Sequence, residues 1–323
     1  MKAVEVFRVV KPGLFSSVQD LGRFGFQRFG VPVSGAMDKF AFMCANALVE
    51  NAVSDACLEV TLFGPELEAL NLTQMAVAGA DFSLFVNGKV APLWETMNVK
   101  KGDVIAFSGS ARSGCRAYLA VKGGISVPVV LGSRSTYIRG GFGGYEGRGL
   151  RAGDTLRAFA SSLFPKESRV LPAELVPRYE DEFVVDVILG PQEDMFTAEG
   201  VETFLSQAYT LTPESDRMGY RLDGVAVRHK GATEIVTDAL TPGAVQVPGS
   251  GKPIVLMMDA QTSGGYPKIA TVTTSDISRL GQAKPGNKIR FRKVSLTEAR
   301  ARYLDFHGSL SRLEERLVKR RVF

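Results

Sequence analysis

Short apolar runs closed off by Gly, Pro, Asn and Asp dominate this chain, and helix-period patterns are rare. Met75-Ala76-Val77-Ala78-Gly79, Phe82-Ser83-Leu84-Phe85-Val86-Asn87-Gly88, Asp103-Val104-Ile105-Ala106-Phe107 and Arg116-Ala117-Tyr118-Leu119-Ala120-Val121 have the length and punctuation of strands. Closely spaced runs of this kind predict a mainly β chain folded as sandwiches or barrels. Many of the 34 glycines stand at the ends of the runs, where tight turns and bulges need them.

A few helices interrupt this pattern. Residues 36–50 place Met37, Phe40, Ala41 and Cys44 at helical spacing, with Ser34 as the expected cap and Asn51 as the stop. Residues 192–207 carry acids in the first turn and put Phe196, Val201 and Phe204 on one face. A basic C-terminal segment, 297–323, spaces Leu310, Leu313 and Leu317 as a third helix, and 276–282 suggests a short helical turn.

The two halves also resemble each other. Leu58-Glu59-Val60-Thr61-Leu62-Phe63-Gly64-Pro65 lies beside Val184-Val185-Asp186-Val187-Ile188-Leu189-Gly190-Pro191, and Tyr118–Val121 beside Val255–Met258. Each half then ends in a turn feeding a strand, Ala152-Gly153-Asp154-Thr155-Leu156 and Pro285-Gly286-Asn287-Lys288-Ile289. The expected organisation is two related β-barrel halves, 1–165 and 180–295, joined by the Pro-, Glu- and Ser-rich stretch 161–182.

Charge narrows the functional classes. The net charge is +5, but 297–323 alone holds seven Lys/Arg against four Asp/Glu, leaving the other residues at +2. That diffuse excess does not make a nucleic-acid surface. No apolar run approaches the roughly 20 residues that cross a bilayer, and no signal peptide is apparent, so a cytoplasmic protein with no membrane contact is expected. Cys44, Cys57 and Cys115 are read as buried structural thiols, and with only His229 and His307 no metal site is expected. There is no GxxxxGK[ST], no GxSxG, and the cluster Arg139–Tyr145 fails GxGxxG at Glu146.

Three polar clusters exceed what folding requires. The first runs Ser17-Val18-Gln19-Asp20-Leu21-Gly22-Arg23, then Gly30–Asp38 with Ser34 and Asp38, then Ala45-Asn46. It fits either an amide and carboxylate site, since Arg offers a planar fork, or a buried network with Asp20 and Arg23 paired. The second, Ser215-Asp216-Arg217-Met218-Gly219-Tyr220-Arg221, offers Arg217 and Arg221 to an anion or to solvent. The third spans Ala244–Pro248 and Asp259-Ala260-Gln261-Thr262-Ser263-Gly264-Gly265-Tyr266-Pro267-Lys268. Its hydroxyls, amides and paired glycines suit an anion or amide, or a plain β-turn. Asp20, Asp38 and Asp259 are the candidates for a catalytic acid or base.

These clusters, in this order, resemble the KipA / allophanate-hydrolase-subunit-2 family, from Ser17–Arg23, Gly30–Asp38, Ala45-Asn46, Leu58-Glu59 and Gly64-Pro65 through Leu131–Thr136 to Ser215–Leu222 and Gln261–Ile269. The resemblance covers residues from about 10 to 292. It implies cyclophilin-like barrels. It also implies one component of a hetero-oligomer whose other members are an A subunit plus a KipI-like B subunit. Such an assembly uses ATP to open the lactam 5-oxo-L-proline to L-glutamate. No tightly bound cofactor follows from that reading. Two alternatives come with the family: the carboxyltransferase component of a biotin-dependent urea carboxylase, and a non-catalytic antagonist of a KipI-like kinase inhibitor. Carried over to matching positions, Gln19, Arg23, Ser34, Arg217, Arg221, Gln261, Thr262 and Tyr266 are the expected substrate-binding residues. In that reading the arginines hold the carboxylate, and Gln261 and Thr262 address the amide.

Overall fold

The computed structural model describes residues 2–159 and 167–321, so part of the expected seam lies outside the described residues. Contacts divide the chain into two units. One comprises Met1–Arg23, Ser34–Tyr179 and Ser309–Phe323, and the other Phe24–Val33 and Glu180–Gly308.

In the first unit, two burial patterns build two kinds of sheet. Glu66–Ala69 and Val104–Ser108 alternate, burying Leu67, Ala69, Ile105 and Phe107 while their neighbours stay accessible. Such strands cover a core on one face only. With Ala3–Lys11, Thr155–Phe159, Ser83–Val86 and Lys89–Val90 they form a six-stranded sheet. Cys57–Thr61, Thr73–Gly79 and Arg116–Val121 are buried at every position, and with Phe15–Gln19 and Thr96–Val99 make a five-stranded sheet covered on both faces. One face sends Met75, Val77, Leu119 and Val121 against Leu67, Ile105 and Leu156 of the six-stranded sheet. The other presents Ala76, Ala78, Tyr118 and Ala120 to helix Lys39–Leu48, which answers with Ala41, Phe42, Cys44 and Ala45. Small side chains on both surfaces allow close approach, and full burial of a residue such as Phe42 contributes roughly 1.5–3 kcal/mol.

The helix expected at 36–50 is present but starts later. Asp38, not Ser34, is its cap, with Oδ1 accepting from the Ala41 N–H at 3.1 Å. Ser34 (φ 55°) and Gly35 (φ 86°) are both left-handed and cannot begin a helix. Gly35 is required there, because a Cβ would lie 2.7 Å from the Gly22 nitrogen.

The second unit is a closed barrel. Its strands run in the order Glu182–Leu189, Lys268–Val272, Ala244–Gln246, Ile254–Leu256, Gly219–Asp223, Tyr209–Leu211 and Lys288–Lys293. The last closes the barrel by pairing in parallel with the first, from Glu182 opposite Lys288 to Val187 opposite Lys293. Closure leaves no unpaired edge. Phe204 of helix Ala198–Ser206 stacks on Phe291 at 4.4 Å, with Tyr209 6.0 Å from Phe291. That helix is shorter than the expected 192–207. Glu193–Met195 forms a separate 3-10 turn, Phe196 is extended, and the Thr197 hydroxyl caps the helix by accepting from Gly200 N–H at 2.9 Å.

A mainly β chain is therefore what folds, with the second half a barrel and the first half hydrogen-bonded as two separate sheets. The segments that resemble each other in sequence have different neighbours. Leu58 pairs directly with Leu119, whereas Glu182–Leu189 and Ile254–Leu256 are not adjacent in the barrel. The turns that close each half do match: Asp154 Oδ2 accepts from Arg151 N–H at 2.7 Å and Asn287 Oδ1 from Lys284 N–H at 2.9 Å, each ahead of a strand. Asp103 repeats the device on Lys100 at 2.8 Å.

The expected single helix over 297–323 is corrected. Helix Leu296–Ser311 opens on a reciprocal cap between Ser295 and Glu298, short helix Leu313–Arg316 follows, and the chain continues in strand Val318–Arg321, antiparallel to Glu167–Val170. Leu313 and Leu317 bury against the core beside helix Lys39–Leu48, and the β-branched Val318 begins a strand where an edge is on offer. The short turn expected at 276–282 is helix Thr274–Leu280.

Candidate functional site

In the first cluster the polar residues mostly serve the backbone. Asp20, at the end of strand Phe15–Gln19, accepts from Gly22 N–H at 2.8 Å, Ser133 Oγ at 2.7 Å, Arg134 N–H at 2.5 Å and the Ser135 hydroxyl. Four donors saturate this carboxylate and tie loop 133–135 to the strand, so it is not poised as a catalytic base. Nor is it paired with Arg23. The Arg23 guanidinium is fully buried, donating to the Val130 and Ser135 carbonyls at 2.9 Å each, with Phe142 5.0 Å away. It closes a loop and presents no face to a substrate carboxylate. Gln19 donates to Ser17 Oγ at 3.0 Å, while its Oε1 and the Ser34 hydroxyl are buried with no hydrogen-bond partner among the described residues. Unmet buried groups are uncommon, and these two keep recognition capacity that Asp20 has used up.

Asp38 belongs to a second buried network. Its Oδ2 accepts from Tyr179 at 3.0 Å, its N–H donates to Tyr118 Oη at 2.7 Å, and Tyr118 donates to Glu59 Oε2 at 2.8 Å. Burial, then the charges of Glu59 and Asp38, push the Tyr118 phenol well up. The Tyr179 phenol is raised for the same reason, burial first and Asp38 next. Cys44 and Cys57 are buried free thiols, pushed up by burial and then by Asp38 and Asp55 respectively, so neither is a nucleophile at neutral pH.

In the barrel unit, Arg217 and Asp259 are the bidentate pair, Nε–Oδ2 3.0 Å and Nη2–Oδ1 3.1 Å, with both side chains buried. The Asp259 N–H also donates to the Arg217 carbonyl at 2.8 Å. This geometry commits Arg217 to a protein carboxylate and Asp259 to an arginine. Arg221 does not join them. It is exposed on strand Gly219–Asp223 opposite Ile254, while the Asp259–Lys268 loop leaves the far end of Ile254–Leu256. Arg217 itself stands in the bend that precedes that strand.

The third cluster assembles most fully. Lys268 begins strand Lys268–Val272 in register with Gln246 of Ala244–Gln246. Its Nζ donates to Asp238 Oδ2 at 2.6 Å, and the Lys side chain is 7% exposed against 49% for Asp238. Gln192 bridges the pair, accepting from Lys268 N–H at 3.2 Å and reaching Asp238 Oδ2 at 3.5 Å. Buried Gln246 donates to the Tyr266 carbonyl at 3.2 Å, and a two-stranded ribbon, Asp238–Ala239 with Ser263–Gly264, holds the loop. Gly264 lets this happen, since a Cβ would meet Leu240 at 2.8 Å and Gln246 at 3.1 Å. Gln261 and Tyr266 are exposed and Thr262 half-buried in the same loop. The Lys268 hydrogen bond, then Ala239 N–H and the Lys268 charge, hold the Asp238 carboxyl below its ordinary range. An ammonium anchored on one side by a surface carboxylate can donate on its other side to a carbonyl or carboxylate.

Sequence patterns point to Gln261, Thr262 and Tyr266 but give no role to Gln192 or Asp238. Gln192 stands 76 residues from Lys268, in a segment whose pattern suggests helix. Asp238 follows Thr237 in a stretch with no motif spacing, so only the fold could bring it in.

A family model described as carboxyltransferase domain, subdomain A and B, matches residues 29–293. A Haemophilus influenzae protein, named as the C subunit of 5-oxoprolinase, is 37% identical over 284 residues, 88% of this chain and 90% of its own length. An Escherichia coli protein of the same name is 35% identical over 294 residues, 91% of this chain and 93% of its own. Among solved structures, the K. lactis urea amidolyase superposes with TM-score 0.89 at 32% identity, covering 97% of this chain but only 21% of that protein.

Proposed function

The chain belongs to the carboxyltransferase-domain family, subdomains A and B, and on that premise we propose that it is the C subunit of an ATP-dependent 5-oxoprolinase. In this reading it acts with an A subunit plus a KipI-like B subunit, and the assembly opens 5-oxo-L-proline to L-glutamate. One observation carries the proposal: the relatives named for that C subunit match along about nine-tenths of both chains. The substrate is a lactam bearing a carboxylate, and the Lys268 cluster offers what such a ligand needs. In this reading the ammonium meets the carboxylate or the developing oxyanion, Asp238 fixes its direction, and Gln261 and Thr262 address the amide. ATP is consumed by the assembly.

The urea carboxylase reading draws on the same comparisons, through the superposition on urea amidolyase. In that reading Lys268 would serve carboxyl transfer from biotin to urea. The two readings separate on one preparation, the chain reconstituted with its A and B partners. Oxoproline-dependent ATP hydrolysis and glutamate formation that vanish when this chain is omitted establish the first. Turnover that needs urea and a biotinylated partner instead transfers the assignment. Tight association without either activity points to the antagonist role.

A further inference from the structure

A cavity of about 590 Å³ in the first unit takes no part in the chemistry above. It lies beside strand Ser83–Val86 and the segment 91–94, which carries the chain from the six-stranded sheet to the five-stranded one. Its volume falls within the roughly 300–1,000 Å³ of small-molecule sites. A five-membered lactam carboxylate would leave most of it empty, so the inference stands apart from the proposed reaction.

Four aromatic residues, Phe82, Phe85, Trp94 and Tyr179, are among those lining the cavity. Phe82 and Trp94 are buried and Phe85 is half-buried. Trp94 sits at φ 61°, a left-handed backbone that bulky residues seldom adopt. Two hydrogen bonds hold it there, from its own N–H to the Val77 carbonyl at 2.7 Å and from Leu171 N–H to its carbonyl at 2.9 Å. Backbone strain of this kind collects at ligand sites, where neighbours over-determine an unfavourable conformation. On the strap 176–179, Tyr179 is pinned by its bond to Asp38.

The charged lining is asymmetric. It contains Asp81, Arg112 and Arg178, two cations against one anion. Arg112 is spent on Asp81 through a fork of 3.1 and 3.0 Å. Arg178 is exposed and makes no hydrogen bond or ion pair among the described residues. One unit of positive charge is therefore uncompensated at the rim of an aromatic pocket.

We propose that this cavity binds a small organic anion with a flat apolar body, its rings against Trp94 and Phe85 and its carboxylate or phosphate at Arg178. Planar rings match aromatic walls, and a single anionic group matches the one uncompensated cation of the described lining. Trp94 is the only tryptophan in the chain, so occupancy is read directly.

The probe is 8-anilinonaphthalene-1-sulfonate, titrated into the folded protein while tryptophan emission and sensitised probe emission are followed. Saturable one-to-one energy transfer is expected. Arg178→Gln should weaken it roughly three- to tenfold by removing a charged contact, and Ser113→Phe, which fills the cavity, should weaken it further. Near-UV circular dichroism verifies that both variants keep the native fold. Displacement by 2-naphthoate against 2-naphthyl phosphate then tells the carboxylate from the phosphate. Absence of saturable transfer, or wild-type binding in either folded variant, overturns the proposal.

Discussion

Two buried cations, one in each unit, look alike in sequence and behave differently in the fold. Arg23 stands in a glycine-flanked polar motif, fully buried, with two backbone carbonyls as its acceptors and Phe142 beside it. Lys268 follows the glycine pair 264–265 and is nearly as buried, but its partner Asp238 is half open to solvent. The first arrangement is closed and satisfies the chain itself. The second ends at the surface, where a ligand can compete for or share the ammonium. A dense polar motif is thus no guide to chemistry until the partners are known; the telling feature is whether the partner is a backbone group or a side chain that reaches water.

The contrast can be broken at several points. The largest loss of stability is expected from Asp259→Ala, which strands Arg217 as a buried unpaired charge and should cost about 3–5 kcal/mol. The double substitution Arg217→Met with Asp259→Leu should recover most of it, as read by urea unfolding of both proteins. Arg23→Met should cost about 1–3 kcal/mol by leaving the buried Ser135 carbonyl unmet, while the Val130 carbonyl keeps the Ser133 N–H. Arg23→Lys should rescue only part, because one ammonium cannot span two carbonyls as the planar fork does. An Arg23 variant of native stability would show that the loop does not depend on it.

A smaller effect is expected on pH dependence at the second site. The Asp238 carboxyl is held low by the Lys268 hydrogen bond, so its contribution to stability is present above the ordinary carboxylate pKa. It fades as pH falls through the lowered value. Asp238→Asn should flatten that acid limb by lowering the neutral-pH unfolding midpoint slightly, with the two proteins converging at acid pH. An identical acid limb in the variant would mean that the pair contributes nothing.

Much of the fold is legible in the sequence because its signals are local. The largely apolar runs at Met75–Gly79 and Arg116–Val121 became strands buried on both faces, and Asp154 and Asn287 announced turns that recur in the structure. Errors arose where a local signal met a competing one. Ser34 is a good cap type, but its left-handed backbone hands the role to Asp38. Leu310, Leu313 and Leu317 do have helical spacing, yet the chain beyond Leu317 pairs as a strand. At the site, sequence found the loop carrying Gln261, Thr262 and Tyr266 and missed Gln192 and Asp238, whose roles depend on ladder register and long-range approach. It also offered Arg23 and Arg217 as ligand-binding, since nothing local distinguishes an arginine bound to carbonyls or a buried aspartate from one awaiting a substrate.

The measurement that bears most directly on this division is turnover and stability of Lys268→Met in the reconstituted assembly with 5-oxo-L-proline and ATP. The unfolding midpoint should move little, since the partner Asp238 can be solvated, while glutamate formation falls by roughly two orders of magnitude through loss of a preorganised charge. A folded Lys268→Met protein that supports full turnover would contradict the account and remove the cluster from the chemistry.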